Sequence, residues 1–149
     1  MIKYLHVAML LLIALTGCQQ QKTPNTNNQQ QYPQRIISAA PLITEVMFAL
    51  GMQHCLVGRT DYCIYPAQVS EIASIGSLRD PSIETVLSLK PDLVITSTHF
   101  RDEVAQKMAA LGINIKRVLN QQNLNGAYQT IRETANLVGC SARAESLIE

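Results

Sequence analysis

The sequence carries no G-x-S-x-G elbow, no G-x-G-x-x-G after its first apolar strand, no G-x-x-x-x-G-K and no histidine pair on one helix face. Without them, the signatures of nucleophile-elbow hydrolases, dinucleotide binders, phosphate-loop proteins and helix-borne zinc sites are missing. It also lacks an excess of either charge. With Lys3 of the amino-terminal segment set aside, eleven basic side chains balance eleven acidic ones, so nothing electrostatic points to nucleic acid or another polyanion. The four cysteines form no C-x-x-C pair, and beyond residue 17 only His54 and His99 remain, too few for a tetrahedral zinc site.

Long apolar runs are missing too. Val7 to Leu15 is nine residues, against the roughly 20 that a helix needs to cross a bilayer. With Lys3 ahead of it, this run reads as an export signal. It ends in Leu15-Thr16-Gly17-Cys18, which looks like a bacterial lipobox: small residues admit a signal peptidase and the Cys18 thiol takes a diacylglycerol. The alternative is an ordinary secretory peptide with an incidental cysteine. Acyl chains contribute about 0.8 kcal/mol per buried methylene, enough together to hold a protein on a membrane without spanning it. Residues 1–17 are therefore read as a lipoprotein signal peptide, and the mature chain as exported and anchored to a bacterial membrane, facing the periplasm or the exterior.

Residues 18–34, rich in Gln and Asn, have almost nothing apolar to bury and read as a disordered tether. Its reach is roughly 20–25 Å by random-coil scaling. Pro24, Lys22 and Pro33 interrupt the tract and weigh against aggregation. The remaining 115 residues, from Arg35, can build one core but not two. Cys55, Cys63 and Cys140 are an odd number for an oxidising compartment. Simple packing suits each, and a Cys55–Cys63 bridge is the pairing that sequence proximity suggests.

Strands and helices alternate along this body. Arg35–Ser38 predicts a strand, and Ile43, Met47 and Leu50 a helix from about Thr44 that Gly51 closes. Cys55–Val57 is a second strand, followed by an extended piece near Ile72–Ile75. Ser82 caps a helix with Ile83, Val86 and Leu87 inward, which Pro91 ends. Leu93–Ile95 is fully apolar, as in a sheet covered on both faces. Arg101–Leu111 predicts a helix with Val104, Met108 and Leu111 in line, and Ile113–Val118 a strand. Leu124, Tyr128, Ile131, Ala135 and Val138 stripe a long helix. The pattern is that of a three-layer α/β sandwich with a mainly parallel sheet. Ser141–Glu149 reads as a capped helix that breaks off after about two turns, as a truncated element would.

In open parallel sheets ligands bind beyond the carboxyl ends of the strands, which selects the loops at 39–43, 59–66, 76–81 and 97–101. The segments R-I-I-S-A-A-P-L-I-T-E-V-M-F-A-L-G, D-Y-C-I-Y-P and G-S-L-R-D-P-S-I-E-T-V-L-S-L-K-P-D-L-V-I, taken in order, carry a family resemblance. The chain resembles the first lobe of the helical-backbone periplasmic substrate-binding proteins, which deliver cobalamin, ferric siderophores or haem to ABC importers. The resemblance implies a substrate-binding lobe over 35–140 and the root of the interlobe backbone helix at 141–149, with the second lobe absent.

It also implies the site. Pro41, Tyr62, Leu78, Ser97 and His99 fall at ligand-contacting positions, Tyr62 where cobalamin binders offer an aromatic ring. Leu78 and Ser97 stand where such relatives carry tryptophan, and the absence of tryptophan here departs from the cobalamin pattern. Tyr62 reads equally as a structural loop tyrosine, and Tyr65 as structural. His99 reads as a contact to a metal complex or haem iron, or as a solvated loop histidine. Glu84 matches the glutamate that pairs with permease arginines. It also complements a helix dipole by about 0.3–1 kcal/mol, as does Glu45.

The partners implied are an ABC permease and its ATPase, a small cobalt- or iron-containing chelate, and the membrane through the lipid anchor. The resemblance implies no resident cofactor, no metal centre and no enzymatic activity. A hydrolase-like α/β lipoprotein and a surface structural lipoprotein stand as the alternatives.

Overall fold

Four short runs make one sheet: β1 (Ile36–Ser38), β2 (Leu56–Arg59), β3 (Leu93–Ser97) and β4 (Ile115–Val118). The computed structural model describes residues 32–119 and 123–149. The readings of the signal peptide, of Cys18 and of the tether as far as Gln31 lie outside the described residues. Five helices connect and follow the strands: α1 (Pro41–Ala49), α2 (Ile83–Leu89), α3 (Asp102–Ala110), α4 (Leu124–Leu137) and α5 (Ser141–Ile148). Every strand pairing is parallel, in the order β2-β1-β3-β4.

Successive side chains of a strand point to opposite faces, and here both faces are covered. Ile36, Leu93 and Ile95 pack with Ile43 and Met47 of α1 and with Val138. Ile37 and Val94 pack on the other face with Val86 of α2 and Met108 of α3. The result is the three-layer α/β sandwich that the alternating pattern predicts. Each fully buried aliphatic side chain contributes about 1.5–3 kcal/mol to holding the layers together. A smaller cluster of Val46, Leu50, Ala135 and Ala144 joins α1, α4 and α5. Arg132 grips Glu145 through Nε at 3.0 Å and Nη2 at 3.0 Å, tying α5 to α4. Among the described residues no helix is long and apolar enough to cross a membrane.

Several boundaries differ from the sequence reading. α1 begins at Pro41 rather than near Thr44, because proline at the first helical position has its φ preset and no N–H to satisfy. The inward residues of α2 are Ile83, Val86 and Leu89; Leu87 is exposed, because the helix ends at Lys90 in the left-handed conformation before that stripe turns inward again. Leu111 and Leu124 are exposed as well, one just past α3 and the other at the very start of α4. Thr130 and Thr134 take inner places on α4, and the Thr130 hydroxyl donates to Gly126 O at 2.9 Å and to Leu119 O at 2.6 Å. Ser141 is the first residue of α5 rather than its cap: Gly139 turns at φ 76 and Cys140 takes the cap position. Just ahead of β1, the Gln34 N–H donates to Asp92 Oδ2 at 2.8 Å.

Candidate ligand-binding mouth

β1 lies between β2 and β3, and the chain leaves β1 and β3 toward opposite faces of the sheet. After β1 it enters α1 on one face; after β3 it enters α3 on the other. That divergence is a topological switch point, where a crevice opens beyond the carboxyl ends of the strands. The Ala39 N–H donates to Ile95 O at 2.9 Å and holds the two exits together. Pro41 and the Ser97–His99 turn therefore stand on either side of one crevice.

Their exposures differ. Pro41 is half-buried and His99 is exposed. Ser97 is 3% exposed, and its hydroxyl faces the His99 N–H at 3.4 Å. The turn is anchored by Phe100, which is buried and whose N–H donates to Ser97 O at 3.1 Å. Arg117 Nη2 donates to Phe100 O at 3.0 Å and pairs with Asp102 Oδ1 at 2.7 Å, bracing the turn from β4. His99 is thus an exposed side chain on a hydrogen-bonded turn.

The second wall element is the loop after β2. Tyr62 is 63%, Ile64 80% and Tyr65 68% exposed, while Cys63 between them is buried against the Thr60 hydroxyl at 3.2 Å. An apolar trio so exposed on a short loop has no part in the core. The sequence reading named Tyr62 and treated Tyr65 as structural, but missed Ile64. The signal for it is three large side chains around one small residue, in a loop too short to bury all of them.

The loop is braced from beneath. Asp61 accepts a short hydrogen bond from the Ser74 hydroxyl, and its N–H donates to Gly76 O at 2.9 Å. Gly76 N–H donates to Ser74 Oγ at 3.0 Å, and Arg59 Nε donates to Val69 O at 3.2 Å. These contacts set the 76–81 turn beside the Tyr62 loop. Leu78 is half-buried and packs into the cluster of Ile37 and Val86.

Glu84 lies apart from this crevice, exposed in the first turn of α2. A separate cleft of about 640 Å³ lies beside α1, lined by Glu45, Phe48, Gln53, Tyr65, Pro66 and Glu71. It shares only Tyr65 with the mouth. Among the described residues no three His, Cys, Asp or Glu side chains gather as a metal site.

All three cysteines are free, Cys55 and Cys63 buried and Cys140 half-buried, in line with the simple-packing reading; Cys55 and Cys63 sit at opposite ends of β2, and the bridge weighed beside that reading is not formed. Burial, and then the nearby Asp92 carboxylate, push the Cys55 thiol up.

A three-layer lobe on a parallel sheet, with a crevice at its switch point, belongs to the class of open α/β lobes. The chain is a member of the periplasmic binding protein family, which it matches over residues 36–149. It is 29% identical over 120 residues to the uncharacterized ABC transporter substrate-binding lipoprotein YvrC of Bacillus subtilis, covering 78% of this chain and 38% of that protein. It is 42% identical over 62 residues to the vitamin B12-binding protein of Vibrio cholerae, covering 42% of this chain and 22% of that one. The apo structure of the periplasmic heme-binding protein RhuT from Roseiflexus superposes with a TM-score of 0.73 at 33% identity, over 77% of this chain and 44% of that chain. The chain thus spans less than half the length of these relatives.

Proposed function

We propose that this chain provides one wall of the ligand site in a substrate-binding lipoprotein of an ABC importer. Its ligand is a metal chelate of the cobalamin, haem or ferric-siderophore kind, received without chemical change. The observation that carries this reading is the exposed Tyr62–Tyr65 loop beside the β1/β3 switch point, on a fold shared with a vitamin B12-binding and a heme-binding protein. Tyrosine rings give a planar macrocycle a large contact area at low entropic cost. Pro41 and Leu78 add apolar contact, and Ser97 fixes the backbone from which His99 reaches a metal centre. Glu84 belongs to permease docking, and the ATPase acts through that permease. Cys18 carries the lipid that keeps the exported protein at a bacterial membrane.

The ligand is tested by titrating cobalamin, haem and a ferric siderophore while following visible absorption. One of the three should respond, and Tyr62→Ala should weaken that response by about tenfold, or 1.4 kcal/mol. A flat response to all three, or an unchanged one in the variant, overturns the reading. For the anchor, palmitate labelling should mark the wild type and not Cys18→Ser; equal labelling removes Cys18 from that role.

A further inference from the structure

We propose, building on the mouth's assignment as a ligand site, that Asp61 and Ser74 are positioning residues that join the Tyr62 loop and the start of α2 into one unit. A ligand seated at the mouth is then felt in the helical turn that bears Glu84.

The loop has few attachments. Among the described residues, only two hydrogen bonds tie Asp61 to Tyr65 to a segment distant in sequence, and both end on Asp61. Its N–H donates to Gly76 O at 2.9 Å, and its Oδ1 accepts from the Ser74 hydroxyl. Cys63 is buried beneath the loop, but its N–H bonds locally, to Thr60 O at 3.0 Å.

Ser74 carries the connection onward. Its hydroxyl oxygen accepts the Gly76 N–H at 3.0 Å while its proton goes to Asp61, so one side chain fixes both the loop and the turn that follows. Ile75, between them, donates its N–H to Arg59 O at 2.8 Å and accepts the Ser82 N–H on its carbonyl at 2.7 Å. Its side chain, 1% exposed, packs with Ile83, Val86 and Leu89, the inner face of α2. Ser82 is the cap of α2, and Glu84 is the second residue of that helix. The contacts thus run from Asp61 to the cap without a break.

This path can respond without disturbing the sheet. Residues 74–76 belong to no strand and make only isolated bridges, Arg59 with Ser74 and Gly76 with Pro81. Segments with so few ladder bonds open locally at low free energy. The far end of α2 is held elsewhere: Arg35 Nη2 donates to Leu89 O at 2.6 Å and its Nε to Lys90 O at 3.1 Å. The first turn is therefore the end governed by the brace. A ligand that favours the braced loop favours the capped turn by the same free energy, because coupling between sites is reciprocal.

The test is backbone amide hydrogen exchange, read by NMR on the full chain. The telling amides are Ser82 and Thr85, which bond to neither Asp61 nor Ser74. Ser74→Ala and Asp61→Ala should each speed exchange there by about three- to tenfold, the scale of one hydrogen bond, and leave Val94 and Ile95 of β3 unchanged. Asp61→Asn keeps an acceptor oxygen and should stay within about twofold of the wild type. Ser70→Ala removes a hydroxyl that donates only to nearby Ala67 O, and should have no effect. Whichever of haem, cobalamin and a ferric siderophore binds the wild type should slow exchange at Thr85, and should not do so in Ser74→Ala. Faster exchange confined to residues 61–65 and 76, or spread evenly into β3, overturns the proposal, as does a bound ligand that leaves Thr85 of the wild type unchanged. If none of the three binds, it is the mouth's assignment that falls, and exchange at Ser82 and Thr85 still decides the brace.

Discussion

Glu84 separates structural from functional roles within one helical turn. The cap of α2 is already supplied by Ser82, whose hydroxyl oxygen accepts the Thr85 N–H at 3.2 Å and the Thr85 hydroxyl at 2.8 Å. Glu84 itself takes part in no hydrogen bond or ion pair among the described residues. Ser82→Ala should therefore lower stability by about 1 kcal/mol. Glu84→Ala should change it by less than about 0.5 kcal/mol while weakening association with the permease complex. Chemical denaturation and a binding assay read the two effects separately; a stability loss without a docking loss would leave Glu84 only its dipole role. At this scale much was legible in the sequence. The Ser82 cap and Gly51 as helix stop follow from local chemistry, whereas Tyr62 was singled out by the family resemblance. Exposure of Ile64 and the Asp61–Ser74 brace do not, because each depends on where a distant segment folds back.

Among the elements, β2 and α2 meet where no side chain stands between them. A Cβ added to Gly58 would lie 2.9 Å from Leu89 Cδ1, 3.0 Å from Ile37 Cγ1 and 3.2 Å from Ile75 Cγ2. Gly58→Ala should therefore cost about 1–3 kcal/mol through overpacking, read as a lower urea midpoint; an unchanged midpoint would mean that α2 shifts freely. The α4–α5 contact carries a pH dependence of known sign. Hydrogen bonding from Arg132 holds the Glu145 carboxyl below its ordinary value of 4.5. The folded state thus binds its proton less readily, so the pair's contribution is present above that value and is lost as pH falls through the folded one. Both side chains are solvent-exposed and screened, so the loss on acidification below that ordinary value should be small and absent in Glu145→Gln, as compared by denaturation. Element order and sheet direction were readable from the alternation of apolar runs. Element faces were less so: a short helix such as α2 offers too few turns for periodicity to tell Leu87 from Leu89, and the start of α4 projects past the core, stranding Leu124.

For the whole molecule, the parallel sheet sets the direction of everything functional: loops at the carboxyl edge present Tyr62 and His99, and the opposite edge holds Cys55 and the Asp92 clasp on Gln34 and Arg35. The mouth is an open surface rather than an enclosed cavity, since Tyr62, Ile64 and Tyr65 each expose more than half of their area. Tight small-molecule sites bury about 70–90% of a ligand's surface, and one wall leaves the far side of a chelate in water. Fewer contacts then offset the cost of immobilising the ligand, which is several kcal/mol or more. The 149-residue chain should accordingly bind cobalamin, haem or a ferric siderophore more weakly than about 1 μM, that is, by less than about 8.2 kcal/mol. Calorimetry or tyrosine fluorescence, with five tyrosines and no tryptophan in the sequence, reads this directly. Submicromolar affinity for any of the three would mean that the crevice between Pro41 and His99 closes around its ligand unaided, and the one-wall account would fall.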